Sequence, residues 1–248
     1  MRMGALRQNY RDALVEIMDH VLSGEPEVLD AARDALAAAL GAGRLIYVGG
    51  SGHSHMLAEE LFYRAGGIAA VQPILEPDLM LHEGARRSTE VEREAGRAER
   101  SLSRFAIEPG DVLIVVSNSG RNAYPVELAE AGRKRGMTVI ALTSLRHAER
   151  VESRHASGLL LRDVADIVLD NGGVYGDAIL PVGPEGVHMG PTSTIIGCFI
   201  LNALVAEAVE MMMAAGKRVD IYASANIEDN GAPADNVAER WGDRIAGL

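Results

Sequence analysis

A change of hydrophobic period at residue 45 constrains this chain more than any other feature. Before it, apolar residues recur at helical spacing. Residues 5–22 set Leu6, Tyr10, Ala13, Leu14, Ile17, Met18 and Val21 on one face. Residues 27–40 repeat the pattern with Val28, Ala31, Ala32, Ala35, Leu36 and Leu40, and Gly41 and Gly43 stop it. Leu45-Ile46-Tyr47-Val48 then forms a short, continuous apolar run. Comparable runs recur at 68–75, 112–116, 138–142 and 166–170, with helical patterns at 55–65 and 124–135 between them. Buried aliphatic strands alternating with amphipathic helices predict right-handed crossovers. The expected fold is α/β: a doubly wound, parallel five-stranded sheet flanked by helices.

The remaining segments are less regular. Residues 76–104 are polar and rich in Arg and Glu; 89–105 fit a helix, and the stretch with Pro77, His82 and Gly84 does not. A glycine-rich segment, 172–190, leads into a long helix over 191–215. The reading is one domain, 1–248, with an N-terminal helical pair (about 3–40) and a polar tail (about 216–248) that turns helical near 234–245.

Charge narrows the partners. The net charge is −11, which disfavours nucleic acid and anionic membrane, both of which need a basic footprint. Only Lys134 and Lys217 are lysines, so a Schiff-base or P-loop lysine is a poor expectation. The single cysteine, Cys198, excludes an intrachain disulfide and reads as a small buried hydrophobe. The N-terminus lacks a signal-peptide core, and the run from Cys198 to Val205 is too short to span a bilayer. The expected location is cytoplasmic.

In an open parallel sheet, ligands bind beyond the carboxyl ends of the strands. Four of those ends carry small polar residues: Gly49 to His55, Ser117 to Asn122, Thr143-Ser144, and Gly190 to Thr194. Each one alone could be capping and turn chemistry. Four in one sheet suggest a cradle for a phosphate and neighbouring hydroxyls, aided by helix N-termini. A dinucleotide site fits less well: Gly50-x-Gly52 follows a strand and Glu76 or Asp78 is suitably distant, but His55 stands at the last position of the fingerprint.

These loops resemble the sugar isomerase (SIS) domain family. The resemblance rests on Gly50-Ser51-Gly52-His53-Ser54, Ser117-x-Ser119-Gly120, Thr143-Ser144 and Gly190-Pro191-Thr192-Ser193-Thr194, and covers residues 5–215. Residues 52–67, 117–122 and 153–158 are similar to a stand-alone, phosphoheptose-isomerase-like branch. The resemblance implies an SIS-type, flavodoxin-like three-layer sandwich that binds a phosphorylated sugar without a cofactor. It implies that Ser117, Asn118, Ser119 and Asn122 hold the phosphate, with Ser51, Gly52, His53 and Ser54 on phosphate or sugar and Thr192, Ser193 and Thr194 closing the site. It also implies a homodimer or homotetramer with shared sites. Phosphoheptose isomerases carry a glutamate in an Ala-Glu-Leu sequence, and Ala58-Glu59-Glu60-Leu61 resembles it, with Glu60 as the candidate base. Their histidine on the C-terminal helix has no counterpart here, because residues 191–248 contain none.

Aldose–ketose exchange needs a base over the α-carbon and an acid at the carbonyl oxygen. Glu60 is the expected base, with His55 or His82 as its partner. His53 and His55 lack a third ligand at metal spacing, so no metal is expected. Arg121 is a candidate anion contact. The arginines of 86–104 read first as a charged helix face, with Arg86 or Arg87 as a phosphate clamp in the sharper reading. His155 either reaches the site or orders its own loop. The alternatives to an isomerase are a non-catalytic sugar-phosphate sensor and a sugar-phosphate lyase of the etherase type.

Overall fold

The aliphatic runs become the strands. The computed structural model describes residues 5–183, 186–224, 226 and 237–248. β1 (Ile46–Gly50), β2 (Val71–Ile74), β3 (Val112–Val116), β4 (Thr138–Thr143) and β5 (Ile167–Asp170) form one sheet in the order β2-β1-β3-β4-β5. Every pairing is parallel, with Ile46 opposite Val112 and Val112 opposite Thr138. Pro73 lies on β2 at the sheet edge, where a missing N–H is tolerated.

Successive side chains of a strand point to opposite faces, so the sheet builds two cores. Ile46, Val48, Val112, Ile114, Val116, Ile140, Leu142 and Leu169 enter one core. Tyr47, Leu113, Val115, Val139 and Ala141 enter the other. The first is covered by α1 (Ala5–Gly24), α2 (Pro26–Gly41), α3 (Met56–Leu61) and α9 (Ser193–Ala214). The second is covered by residues of α4 (Leu81–Val91), α5 (Arg97–Leu102), α6 (Ala123–Lys134) and α8 (Leu161–Val164). The short α7 (Leu145–Ala148) follows β4, and α10 (Val237–Trp241) lies in the tail. Burying one aliphatic side chain contributes about 1.5–3 kcal/mol, so these two layers supply the main favourable term.

α9 is long and apolar enough to cross a membrane by length and composition, with mean hydropathy 1.8 over its best 18 residues. Ile196, Ile200, Leu201, Leu204, Ala208 and Met212 pack into the first core, which accounts for that composition.

Four expectations change. The helix expected at 89–105 begins at Leu81, bends where Gly84 takes φ 150°, and breaks before α5. The glycine-rich segment holds an antiparallel pair, β6 (Ala178–Pro181) and β7 (His188–Pro191), that pattern reading missed. β6 is half-buried and β7 mostly exposed, so neither shows a hydrophobic alternation to read. The helix expected at 55–65 shrinks to α3 behind a 3-10 turn at Gly52–His55. The tail is also less peripheral than its polarity implies: Tyr222 and Ile245 are buried, and Ile221 bridges Ile68. Of the expected helix near 234–245, residues 234–236 lie outside the described residues.

Candidate functional site

Strand order reverses direction at β1 and β3, so their carboxyl ends open a crevice at the topological switch point. The loops at 51–55 and 117–122 leave the sheet there. Two glycines make the approach possible. A Cβ on Gly50 would lie 2.8 Å from both the Val116 carbonyl oxygen and Ser54 Cβ. Gly120 takes φ +60°, with Thr143 Oγ1 and Leu161 Cβ at 3.4 and 3.1 Å from where a Cβ would sit.

Between these loops lies a tight cavity, with free room for little more than one water molecule. Ser54, Asn118, Asn171, Ser193 and Thr194 supply its polar lining over Leu57, Val116 and Leu142. It draws on three of the four expected loops. Asn118 is held by Asn171, whose Nδ2 donates to Asn118 Oδ1 at 2.9 Å. The side-chain hydroxyls of Ser54, Ser119 and Thr194 have no hydrogen-bond partner among the described residues. With the Asn118 Nδ2, they are uncommitted donors among these loops.

Other expected residues are already committed. Ser117 Oγ accepts from the Gly120 N–H, and Thr143 Oγ1 donates to the Asn118 carbonyl. Ser144 caps α7, accepting from the His147 N–H and donating to the Gly173 carbonyl at 2.7 Å. These three shape the loops. Arg121 Nε donates to the Glu152 carbonyl at 2.9 Å.

Two carboxylates that sequence reading did not single out reach into the loops. Asp177, at φ 59°, accepts from the N–H and hydroxyl of both Thr192 and Ser193, at 2.6–3.1 Å. It therefore sits at the N-terminus of α9, where a negative charge is favoured. Glu92 accepts from Ser51 Oγ at 2.6 Å and from Asn122 Nδ2 at 2.7 Å, tying the first loop to the second. The expected free donors Ser51, Asn122, Thr192 and Ser193 are thus engaged internally. Glu92 reads from sequence as one of many charges on a helix face. It lies just past the end of α4, a boundary that no sequence signal marked.

The histidines and acids of the first loop divide. His55 is buried; its Nδ1 bonds the Gly52 carbonyl and its Nε2 lies 3.7 Å from Glu59 Oε2. The rings of His55 and His82 are 6.2 Å apart, so the structure brings these two together. His53 is exposed. Glu60 does not line the cavity: its Oε1 pairs with Arg64 and accepts from Asn202 Nδ2 of α9 at 3.0 Å. Leu57, one helical turn before it, does line the cavity.

Around this centre the charged groups mostly order the scaffold. Arg87 is paired with Asp78 and Glu94, so it is not a free clamp. His155 orders its own loop through Ser157 and faces Glu127 at 3.9 Å. His147 Nδ1 accepts the Gly176 N–H at 3.3 Å, and its ring lies 5.0 Å from that of Tyr175. Burial holds the His147 pKa below its ordinary value; Arg121 pushes the same way and Asp177 opposes. Among the described residues no three His, Cys, Asp or Glu side chains converge to hold a metal ion.

An open parallel sheet with a hydroxyl-lined cavity at its switch point defines a class of small-ligand-binding α/β proteins. The model of the SIS domain matches residues 9–144, and the chain belongs to that family. Among sequence relatives are UPF0309 proteins of Listeria monocytogenes, 40% identical with 96% of each chain covered, and of Geobacillus kaustophilus, 44% identical over 94% of this chain and 91% of the relative. Solved structures with this fold include a phosphoheptose isomerase from Francisella tularensis, with TM-score 0.57 at 16% identity, covering 85% of this chain and all of that one. The phosphoheptose isomerase of Neisseria gonorrhoeae aligns with TM-score 0.53 at 16% identity over 83% and 98% of the two chains.

Proposed function

We propose that this protein binds a phosphorylated sugar in the switch-point crevice and interconverts its aldose and ketose forms through a cis-enediol. The observation that carries the binding half is the set of uncommitted hydroxyls, Ser54, Ser119 and Thr194, from three loops, two of them lining one cavity. Hydroxyls, backbone N–H groups and the N-termini of α6 and α9 suit an oxyanion without a lysine. SIS-family membership and the fold shared with phosphoheptose isomerases support the same ligand class.

Glu60 is the base in this reading. It lies on α3, one turn beyond Leu57 of the cleft. His55 is the acid partner beside His82. Its Nδ1, bonded to the Gly52 carbonyl, leaves Nε2 to carry the moving proton. A second copy of the chain, over the exposed Val15 and Leu22 of α1, would complete a homo-oligomer.

One observation favours a second reading, a binder without catalysis. Arg64 and Asn202 already engage the Glu60 carboxylate, which competes with proton abstraction. Incubation in D₂O with sugar phosphates of five to seven carbons separates the two. Deuterium entering at C2 supports the isomerase; binding without exchange across the panel leaves the binder. Ser119→Ala is expected to remove the thermal stabilisation that a sugar phosphate confers. An undiminished shift in that variant would overturn the cradle.

A further inference from the structure

Three arginines gather beside the second loop. Arg121 belongs to it, Arg93 follows Glu92 in the break before α5, and Arg154 lies between α7 and α8. Arg154 Nη1 donates to Asn122 Oδ1 at 3.1 Å, and the Arg154 N–H donates to the Arg121 carbonyl at 2.7 Å. The other amide atom of Asn122 is bonded to Glu92, so the network Ser51–Glu92–Asn122–Arg154 runs unbroken from the first loop to the arginines. Within residues 76–104, Arg87, Arg97 and Arg104 each meet an acid, whereas Arg86 and Arg100 meet none within ion-pair distance among the described residues. Arg93, Arg121 and Arg154 meet none within ion-pair distance among the described residues. Burial, then Arg121 and Arg93, hold the Arg154 pKa below its ordinary value, and Glu92 alone opposes them. Arg93, Arg121 and Arg154 are thus like charges near one another, with Arg93 and Arg154 exposed, in a chain whose net charge is −11.

We propose that Arg93, Arg121 and Arg154 seat a second anionic group of the ligand, so that the substrate is a sugar phosphate bearing a further phosphate or carboxylate. This rests on the sugar-phosphate reading above and narrows it. The two seats share one loop: Asn118 lines the cavity and Asn122 touches Arg154. Asn118 and Asn122 are four residues apart, at most about 14 Å of chain, and the proposal requires a ligand long enough to bridge them. Guanidinium forks match either oxyanion. Asn122 holds Arg154 beside the loop before the ligand arrives.

The test is calorimetric titration of the full chain with matched probes of five to seven carbons: a sugar monophosphate, its bisphosphate, and the corresponding phosphorylated aldonic acid. At least one doubly anionic probe is expected to bind about tenfold more tightly than the monophosphate at low salt. The bisphosphate and acid arms tell which second group is preferred. Added salt should shrink the gap. In Arg93→Gln/Arg154→Gln the gap should close to about twofold, with the melting curve of the unliganded variant reporting that it is folded. Equal affinities in the parent chain, or a gap unchanged in the variant, would overturn the arginine seat while monophosphate binding upholds the broader reading. If no probe binds, both fail together.

Discussion

Asp177 and Glu92 each place a carboxylate among loops whose donors suit a phosphate, and they are held differently. Asp177 takes four hydrogen bonds, two of them from backbone N–H groups at the head of the 22-residue α9. Thr192, one of its donors, is fully buried. Removing this carboxylate would strand donors that water reaches poorly. Glu92 takes two bonds, both from side chains that can turn, with three arginines close by. Asp177 is therefore a fixed clamp joining the segment before β6 to α9. Glu92 is an adjustable link in a cationic neighbourhood. The contrast indicates which carboxylate a ligand can work beside and which it cannot disturb.

Asp177→Ala should give the largest effect. Losing the clamp is expected to cost about 2 kcal/mol, lowering Tm by about 4–8 °C. A Tm unchanged within a degree would break the contrast. Glu92→Gln should cost less than about 1 kcal/mol, because its donors can turn to water. The same substitution should tighten a doubly anionic probe about threefold, since a competing charge leaves. Titration showing weakened binding instead would make Glu92 a clamp like Asp177.

The smallest effect concerns His147, which receives the Gly176 N–H next to Asp177. Its folded-state pKa lies below the ordinary 6.5, so the fold binds fewer protons there than the unfolded chain. That contribution to stability is intact above pH 6.5 and declines as pH falls from there toward the lowered folded value. Protonated Nδ1 can no longer accept, so the protection of the Gly176 amide, relative to its intrinsic exchange rate, should fall over the same window. His147→Gln should flatten that dependence; an identical pH profile in the variant would remove His147 from the account.

What could be read in advance follows from the range of the forces. The strands and the long helix are written in contiguous residues. Val112 to Val116 must be buried wherever the chain goes, and glycines after β1 permit only a close turn. The switch point then fixes which loops meet. Glu92 and Asp177 are different. Their partners lie 41, 30 and 15 or 16 residues away, and no local pattern separates Glu92 from Glu90 or Glu94. Thr192 and Ser193 were read as ligand contacts because donors are visible in sequence and their internal acceptors are not. The hairpin β6–β7 was missed for the complementary reason: turns and long-range packing hold it, with little hydrophobic alternation.

The strand order also governs how the chain can assemble over time. β1 sits between β2 and β3, so its second neighbour begins only at Val112, about 60 residues beyond Gly50. At about 5–20 residues per second, several seconds of synthesis pass before that strand is made. During that interval β1 keeps an unpaired edge and the apolar side chains Ile46, Tyr47 and Val48 have no complete sheet to join. Parallel pairing across such separations makes folding slow. The crevice, framed by β1 and β3 and closed from α9, is therefore among the last features of the molecule to exist.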